Sequence, residues 1–229
     1  MEARTEVLVS ETPDTVAEAT SRRIAEMVSS AKGRFSLGIA GGTTPRATYR
    51  ALRGRASGWQ NVDAWLSDER WVPPDDERSN GLMAAQALFD HVDAEFYRPR
   101  WSEYMTPEDS AAHYEATLRS IHADRRPDLI LLGLGEDGHT ASLFPDTMAL
   151  AEDHRWYVAN EVEQLGEDRL TATYPLLWRS QRIMMIVVGE SKAQAVKSSF
   201  EGKTPAGQLD QGDAVVEWYL DQGSASLLG

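Results

Sequence analysis

Residues 128–145 read DLILLGLGEDGHTASLFP, and the fold turns on how this stretch is divided. Asp128–Leu134 is a short and almost unbroken apolar run, as expected of a strand buried on both faces. Glycines at 133, 135 and 138 then punctuate the chain, and His139 follows the last of them. Together they satisfy G-x-G-x-x-G, so a dinucleotide-binding turn has to be weighed. That fingerprint opens a long helix on the first strand of its unit, whereas here the chain lies past its midpoint and meets Pro145 at the seventh residue of HTASLFP. Glu152 and Asp153 stand about 20 residues further on, as the fingerprint asks, but in a loop-like stretch rather than at a strand end. The match is incidental. The stretch reads as a buried strand that runs into a glycine-rich loop presenting a histidine.

Working outward, further strands are expected at Glu6–Val9, Arg34–Ala40, Val62–Ser67, Trp156–Val162 and Arg182–Val188. Helices are expected between them. One opens at Pro13 with Val16, Ala19, Ile24, Met27 and Val28 on a shared face, and a short one runs through Tyr49 and Leu52. Others run from about Gly81 to Phe89, from Pro107 with Tyr114, Leu118 and Ile121 inward, and over Glu190–Phe200. Apolar strands alternating with helices predict an α/β fold with a mainly parallel sheet covered on both faces. No repeat, low-complexity tract or flexible linker interrupts residues 1–229, so one domain is expected. Ligands of such sheets gather beyond the carboxyl ends of the strands. Four loops then converge, after Ala40, Ser67, Leu134 and Val188.

Composition narrows the function. The 229 residues carry 36 acidic against 23 basic side chains, a net charge of -13, which speaks against a nucleic-acid partner. Small anions are not excluded, because a few converging cations and a helix N-terminus override the global field locally. No apolar run reaches the roughly 18 residues of a membrane span, and the opening MEARTEVLVS has no signal-peptide core. Cysteine is absent, so disulfide and thiolate chemistry are out. A cytoplasmic enzyme is the expectation.

The convergent loops hold the unusual residues. Gly41-Gly42-Thr43-Thr44-Pro45 lies between a strand and a helix, where free backbone N–H groups and the helix dipole can hold an anion. The plainer reading is a βα turn with Thr44 as N-cap and Pro45 at the first helical position. Asp68-Glu69-Arg70 offers a carboxylate and a guanidinium two residues apart, at the head of what reads as a stiff, proline-rich loop, DERWVPPDDERSN. Asp75, Asp76 and Glu77 read as a solvated run without a role. His139, at the sheet's mouth, suits a general base near neutral pH, and Asp137 two residues earlier could orient it. His91, His113, His122 and His154 read as surface or capping residues. Lys192 stands at a helix N-terminus, where a cation is disfavoured unless an anion shares the site. Arg169, in EDRLTAT, is a weaker candidate. Nothing has metal-ligand spacing, and no G-x-S-x-G elbow marks a nucleophile, Ser142 included.

Taken in order, IAGGTTP, SDERWVPPDDERSN, GLGEDGHTASLFP, DRLTAT with YPLL, VVGESKA, TPAGQL and WYLD resemble the 6-phosphogluconolactonases over roughly residues 37–221. The resemblance implies a three-layer α/β/α, Rossmann-like fold shared with glucosamine-6-phosphate deaminase/isomerase. It implies hydrolysis of 6-phospho-D-glucono-1,5-lactone without cofactor or required metal. A monomer or weak homo-oligomer is expected. By position, His139 would be the catalytic base, with Asp137 and Asp68 on acidic positions of the same site. Gly41, Gly42 and Thr43 would hold the substrate, and Arg70, Arg169 and Lys192 its phosphate. Ala40 stands where the family more often has serine. The deaminases continue their similar G-x-D-G-H loop as I-A-F-N-E-P, with a glutamate, and carry D-E-Y where this chain has Asp68-Glu69-Arg70. Here the loop runs Thr140-Ala141-Ser142-Leu143-Phe144-Pro145, without it.

Overall fold

The computed structural model describes residues 5–229. Strand β1 (Thr5–Ser10) leads into helix α1 (Pro13–Ser30), which begins at the expected proline and is capped by Thr12 and Thr15 in a reciprocal capping box. There follow β2 (Phe35–Ile39), α2 (Thr43–Leu52), β3 (Val62–Leu66), β4 (Asp68–Arg70), α3 (Asn80–Ala87) and β5 (Glu95–Tyr97). Helix α4 (Pro107–Ile121) precedes β6 (Leu129–Leu132), the strand of the opening motif. The chain closes with β7 (Tyr157–Val162), β8 (Glu167–Ala172), α5 (Tyr174–Trp178), β9 (Arg182–Val187), α6 (Ala193–Phe200), β10 (Val215–Asp221) and α7 (Gln222–Ala225).

Seven strands form one parallel sheet in the order β1-β10-β9-β6-β2-β3-β5. Successive side chains of β6 and β9 alternate between two cores. Leu129, Leu131, Met184 and Ile186 pack with Ile24 of α1, Leu52 of α2 and Ala84 of α3. Ile130, Leu132, Ile183 and Met185 pack with Leu118 of α4, Leu177 of α5 and Val196 of α6. Burial on both faces explains why these strands read as continuous apolar runs. The expected α/β/α architecture with a mainly parallel sheet is therefore present.

The differences lie at the margins of the sheet. Trp156–Val162, expected as another strand of the series, contributes β7 to a separate antiparallel sheet of order β4-β8-β7. The stretch expected as a loop from Asp68 begins with β4, which pairs with β8 in the register Asp68↔Thr171, Glu69↔Leu170 and Arg70↔Arg169. Three residues are too few to show a period in sequence, and this pairing is set by tertiary contact. Helix α2 is capped by Gly42, with φ of 103°, rather than by Thr44. Glu190–Lys192 forms a 3₁₀ turn ahead of α6 instead of its first α-helical turn.

His122 is the other departure. It does stand at the C-cap of α4, but it is fully buried rather than at the surface. Its Nδ1 lies 2.8 Å from the Leu118 carbonyl and its Nε2 lies 2.6 Å from Ser36 Oγ, which in turn accepts the Trp65 indole N–H at 2.9 Å. A neutral imidazole completes this chain, donating from Nδ1 and accepting at Nε2. Burial pushes the His122 pKa down to about 4. Because the unfolded chain takes up the proton at about pH 6.5 and the folded chain only near 4, stability falls as pH drops through that window. The loss should approach roughly 3 kcal/mol at the lower end. Denaturant unfolding of the wild type between pH 7 and 4 should show it, and His122→Gln should remove that part of the slope; parallel slopes for the two proteins would refute the assignment.

Candidate active site

Strands β9, β6, β2 and β3 are adjacent and parallel, so their carboxyl ends lie along one edge of the sheet. Between β6 and β2 the order reverses, since β2 leads outward to β3 while β6 leads the other way to β9 and β10. Such a reversal opens a crevice at the strand ends. The four loops singled out in the sequence all leave from this edge.

The loop after β6 is folded tightly around His139. Gly135 N–H donates to the His139 carbonyl at 2.8 Å, and Gly138 N–H donates to the Gly135 carbonyl at 3.1 Å. Gly138 has φ of 82°, a backbone that side chains resist, and a Cβ on Gly135 would stand 2.0 Å from His139 Nδ1. These glycines thus serve the histidine and not a pyrophosphate. Asp137 Oδ1 accepts from the His139 backbone N–H at 3.1 Å and lies 2.6 Å from Nδ1. The imidazole is stacked on Phe144, with ring centroids 3.9 Å apart and planes inclined by 25°. Its Nε2 has no partner among the described residues, and the ring is partly exposed.

Beyond His139 the loop turns inward. Ala141 takes φ of 49°, an uncommon backbone for a residue with a Cβ, as Thr140–Leu143 close on one another. The turn aims Ser142 into the protein, where its hydroxyl donates to Asp68 Oδ2 at 2.8 Å and its backbone N–H to Thr171 Oγ1 at 3.1 Å. Asn160 Nδ2 donates to the Ser142 carbonyl at 2.9 Å. Asp68 is therefore a buried acceptor that ties the histidine loop to β4. Sequence reasoning set Ser142 aside as a nucleophile and missed this role. The only cue would have been a small hydroxyl residue at fixed spacing from His139.

The GGTTP turn is fitted to β4 from the other side. A Cβ on Gly41 would fall 1.8 Å from Asn80 Oδ1, and Asn80 Nδ2 donates to the Asp68 carbonyl at 3.0 Å. Asn80, at the start of α3, went unnoticed in the sequence because nothing in its spacing links it to Gly41. The N–H groups of Gly41, Gly42, Thr43 and Thr44 donate to nothing among the described residues. Ala40, where a serine is more usual, has its N–H and carbonyl bracketed by the buried Tyr49 hydroxyl at 3.0 and 2.8 Å. The loop is anchored without a side-chain hydroxyl at position 40.

Arg70 and Arg169 face each other directly across β4 and β8. Arg70 donates to the Arg78 carbonyl at 2.5 Å, and Arg169 pairs with Glu167 at 2.9 Å. The Nε atoms of both are buried without a partner. Burial, and then the neighbouring Arg70 charge, lower the Arg169 pKa. Two adjacent guanidinium groups with unused donors are the arrangement an anion would relieve. The side chain of Lys192, half-buried at the end of the turn after β9, makes no hydrogen bond or ion pair among the described residues. Glu69 faces away from these groups. It accepts from Ser79 Oγ and from the backbone N–H groups of Arg70, Asn80 and Gly81 at 2.6–2.9 Å, and burial raises its pKa. Among the described residues no cluster of three or more His, Asp or Glu is placed to hold a metal ion, and no helix is long and apolar enough to cross a membrane.

The profile of the family described as glucosamine-6-phosphate isomerases/6-phosphogluconolactonase matches residues 11–218. The chain belongs to this family. It is 37% identical to a 6-phosphogluconolactonase of Synechocystis, covering 83% of each chain, and 35% identical to one of Rhizobium meliloti, covering 85% of this chain and 89% of that one. The crystal structure of a 6-phosphogluconolactonase from Shewanella baltica superposes with a TM-score of 0.86 at 25% identity, over 95% of this chain and 97% of that one. A monomeric glucosamine-6-phosphate deaminase gives 0.81 at 25% identity, over 97% and 99%. The chain is an enzyme of this family, of the phosphogluconolactonase type.

The fit of Gly135 against the imidazole yields a test. Gly135→Ala should lower turnover by at least about tenfold by displacing the ring from Asp137, while far-ultraviolet circular dichroism stays native. A variant with wild-type turnover would show that the ring's placement does not matter.

Proposed function

We propose that the chain hydrolyses 6-phospho-D-glucono-1,5-lactone to 6-phospho-D-gluconate, the second step of the oxidative pentose phosphate pathway, with His139 activating the water. The observation that carries the role of His139 is the 2.6 Å contact of its Nδ1 with Asp137. A carboxylate there holds the tautomer with the proton on Nδ1, which leaves Nε2 as a base facing the crevice. Nε2 takes a proton from water as the oxygen attacks C1 of the lactone. The tetrahedral intermediate then collapses, the C1–O5 bond breaks, and the imidazolium returns the proton to O5. A δ-lactone is an activated ester, so no covalent nucleophile is required.

The remaining groups bind and orient. Arg70, Arg169 and Lys192 would hold the 6-phosphate, and the free N–H groups of Gly41, Gly42 and Thr43 would hold oxygens of the sugar acid. Fixing the phosphate far from C1 sets the ring's pose and lowers the entropic part of the barrier. Asp68 acts through Ser142, holding the histidine loop in place. The same reading takes residues 1–229 as one domain, working in the cytoplasm without cofactor or metal, as a monomer or weak homo-oligomer.

The experiment generates the lactone in situ and follows its loss with wild type, with variants and with no protein, because the lactone also hydrolyses spontaneously. His139→Ala should lose on the order of 10²-fold or more in kcat with KM largely kept. Arg169→Ala and Lys192→Ala should raise KM more than they lower kcat. A His139→Ala rate near wild type overturns the mechanism, and unchanged KM in both cation variants overturns the phosphate assignment. Release of ammonia from glucosamine 6-phosphate would point to the deaminase reaction instead.

A further inference from the structure

A cavity of about 560 Å³ opens beside β4 and is not lined by His139. Its walls include Arg70, Arg98, Arg100, Trp71 and Trp101, and Glu69 is the one carboxylate among them. Glu69 and Leu170, paired across β4 and β8, both line it, whereas their neighbours Asp68 and Thr171 hold the histidine loop on the other face of the small sheet. The cavity and the candidate active site thus lie back to back, with Arg70 at their shared edge.

Three features point to a ligand. First, Arg98 and Arg100 make no side-chain hydrogen bond and no ion pair among the described residues, although the chain carries 36 acidic side chains and a net charge of -13. Three cations against one carboxylate, itself engaged by four donors, make this a locally positive pocket. Second, Trp71 and Trp101 stand with ring centroids 6.2 Å apart and planes inclined by 49°, which leaves an angled aromatic wall beside the guanidinium groups. Indole faces take flat rings by stacking, and guanidinium groups take phosphate oxygens bidentately. Third, the volume lies within the roughly 300–1,000 Å³ common for small-molecule sites.

We propose that this cavity is a second ligand site, which takes a planar heteroaromatic ring carrying a phosphate, the chemical class of a nucleoside monophosphate. The ring lies against Trp71 and Trp101, and the phosphate lies between Arg98 and Arg100. Arg70 at the common edge would make occupancy felt in the candidate active site as a raised KM for the sugar phosphate; that coupling rests on the phosphate role given to Arg70 above, whereas the binding itself does not.

The test uses AMP as probe on the full chain, read by tryptophan fluorescence and by titration calorimetry. Saturable binding of AMP is expected, with adenosine and ribose 5-phosphate each at least about tenfold weaker, since ring and phosphate both contribute. Arg98→Ala combined with Arg100→Ala should weaken AMP by about tenfold or more. Without AMP, lactone turnover of that variant should match wild type, which also shows that it folds. Trp101→Ala should weaken AMP and adenosine alike. The proposal is overturned by absence of saturable AMP binding, by equal affinity for ribose 5-phosphate, or by binding that survives the double arginine variant and vanishes in Lys192→Ala, which would place the nucleotide in the candidate active site.

Discussion

A parallel sheet whose central strands are covered by helices on both faces leaves those strands open to solvent only at their ends, and this constraint orders the molecule. Strands β9, β6, β2 and β3 run buried, so most of their residues are apolar, and the buried polar ones, Ser36 and Asp63, are engaged by His122 and by Arg34 and Arg125. Polar chemistry is displaced to the loops beyond their carboxyl ends. Because the order reverses between β6 and β2, the loops there diverge and leave room for a substrate. His139, Gly41–Thr43, Asp68 and Lys192 stand at one edge for this reason, though they are spread over most of the chain.

Holding those loops in register requires buried polar contacts, and the two buried carboxylates of β4 are matched to donors. Asp68 receives the Ser142 hydroxyl, and Glu69 receives three backbone N–H groups and the Ser79 hydroxyl. An unpaired carboxylate in either place would cost several kcal/mol. The two carboxylates, adjacent in sequence and opposite in direction, pin the histidine loop to one face of β4 and α3 to the other. The guanidinium Nε atoms of Arg70 and Arg169 stand outside this economy, buried and unmatched. That contrast separates carboxylates whose donors are in place from guanidinium groups with donors unused.

Much of this was legible in the sequence, and the reasons for the gaps are physical. Strands such as Phe35–Ile39 and Arg182–Val187 announce themselves because burial on both faces leaves few polar residues in them. Pro13 and Pro107 mark helix starts because proline fits the first turn. The Asp137–His139 pair is local, two residues apart, and so readable. The small antiparallel sheet was not, because β4 has three residues and gains its partner from Arg169–Thr171, about a hundred positions away. Asn80 against Gly41, and Ser142 against Asp68, are likewise non-local contacts with no period to betray them. The exit strand β10 was passed over although VVEWYLD is largely apolar, since Glu217 interrupts the run. In the fold that carboxylate is buried against Arg23 and Arg182.

The two histidines that matter most show how far context outranks residue type. His122 and His139 each have Nδ1 engaged, the first with a carbonyl and the second with a carboxylate. For His122, a second contact at Nε2 and complete burial close the ring off, so its protonation would strand a charge away from water. For His139, the ring lies on Phe144, partly exposed, with Nδ1 against Asp137 and Nε2 unpaired among the described residues. One imidazole is thereby kept neutral as a structural link, while the other keeps its Nε2 unpartnered among the described residues. The glycines at 135 and 138 make the second arrangement possible, since a side chain at 135 would occupy the space of the ring and one at 138 would meet Thr204. Their function is steric: they leave the loop narrow enough for a histidine and its aspartate to share one turn.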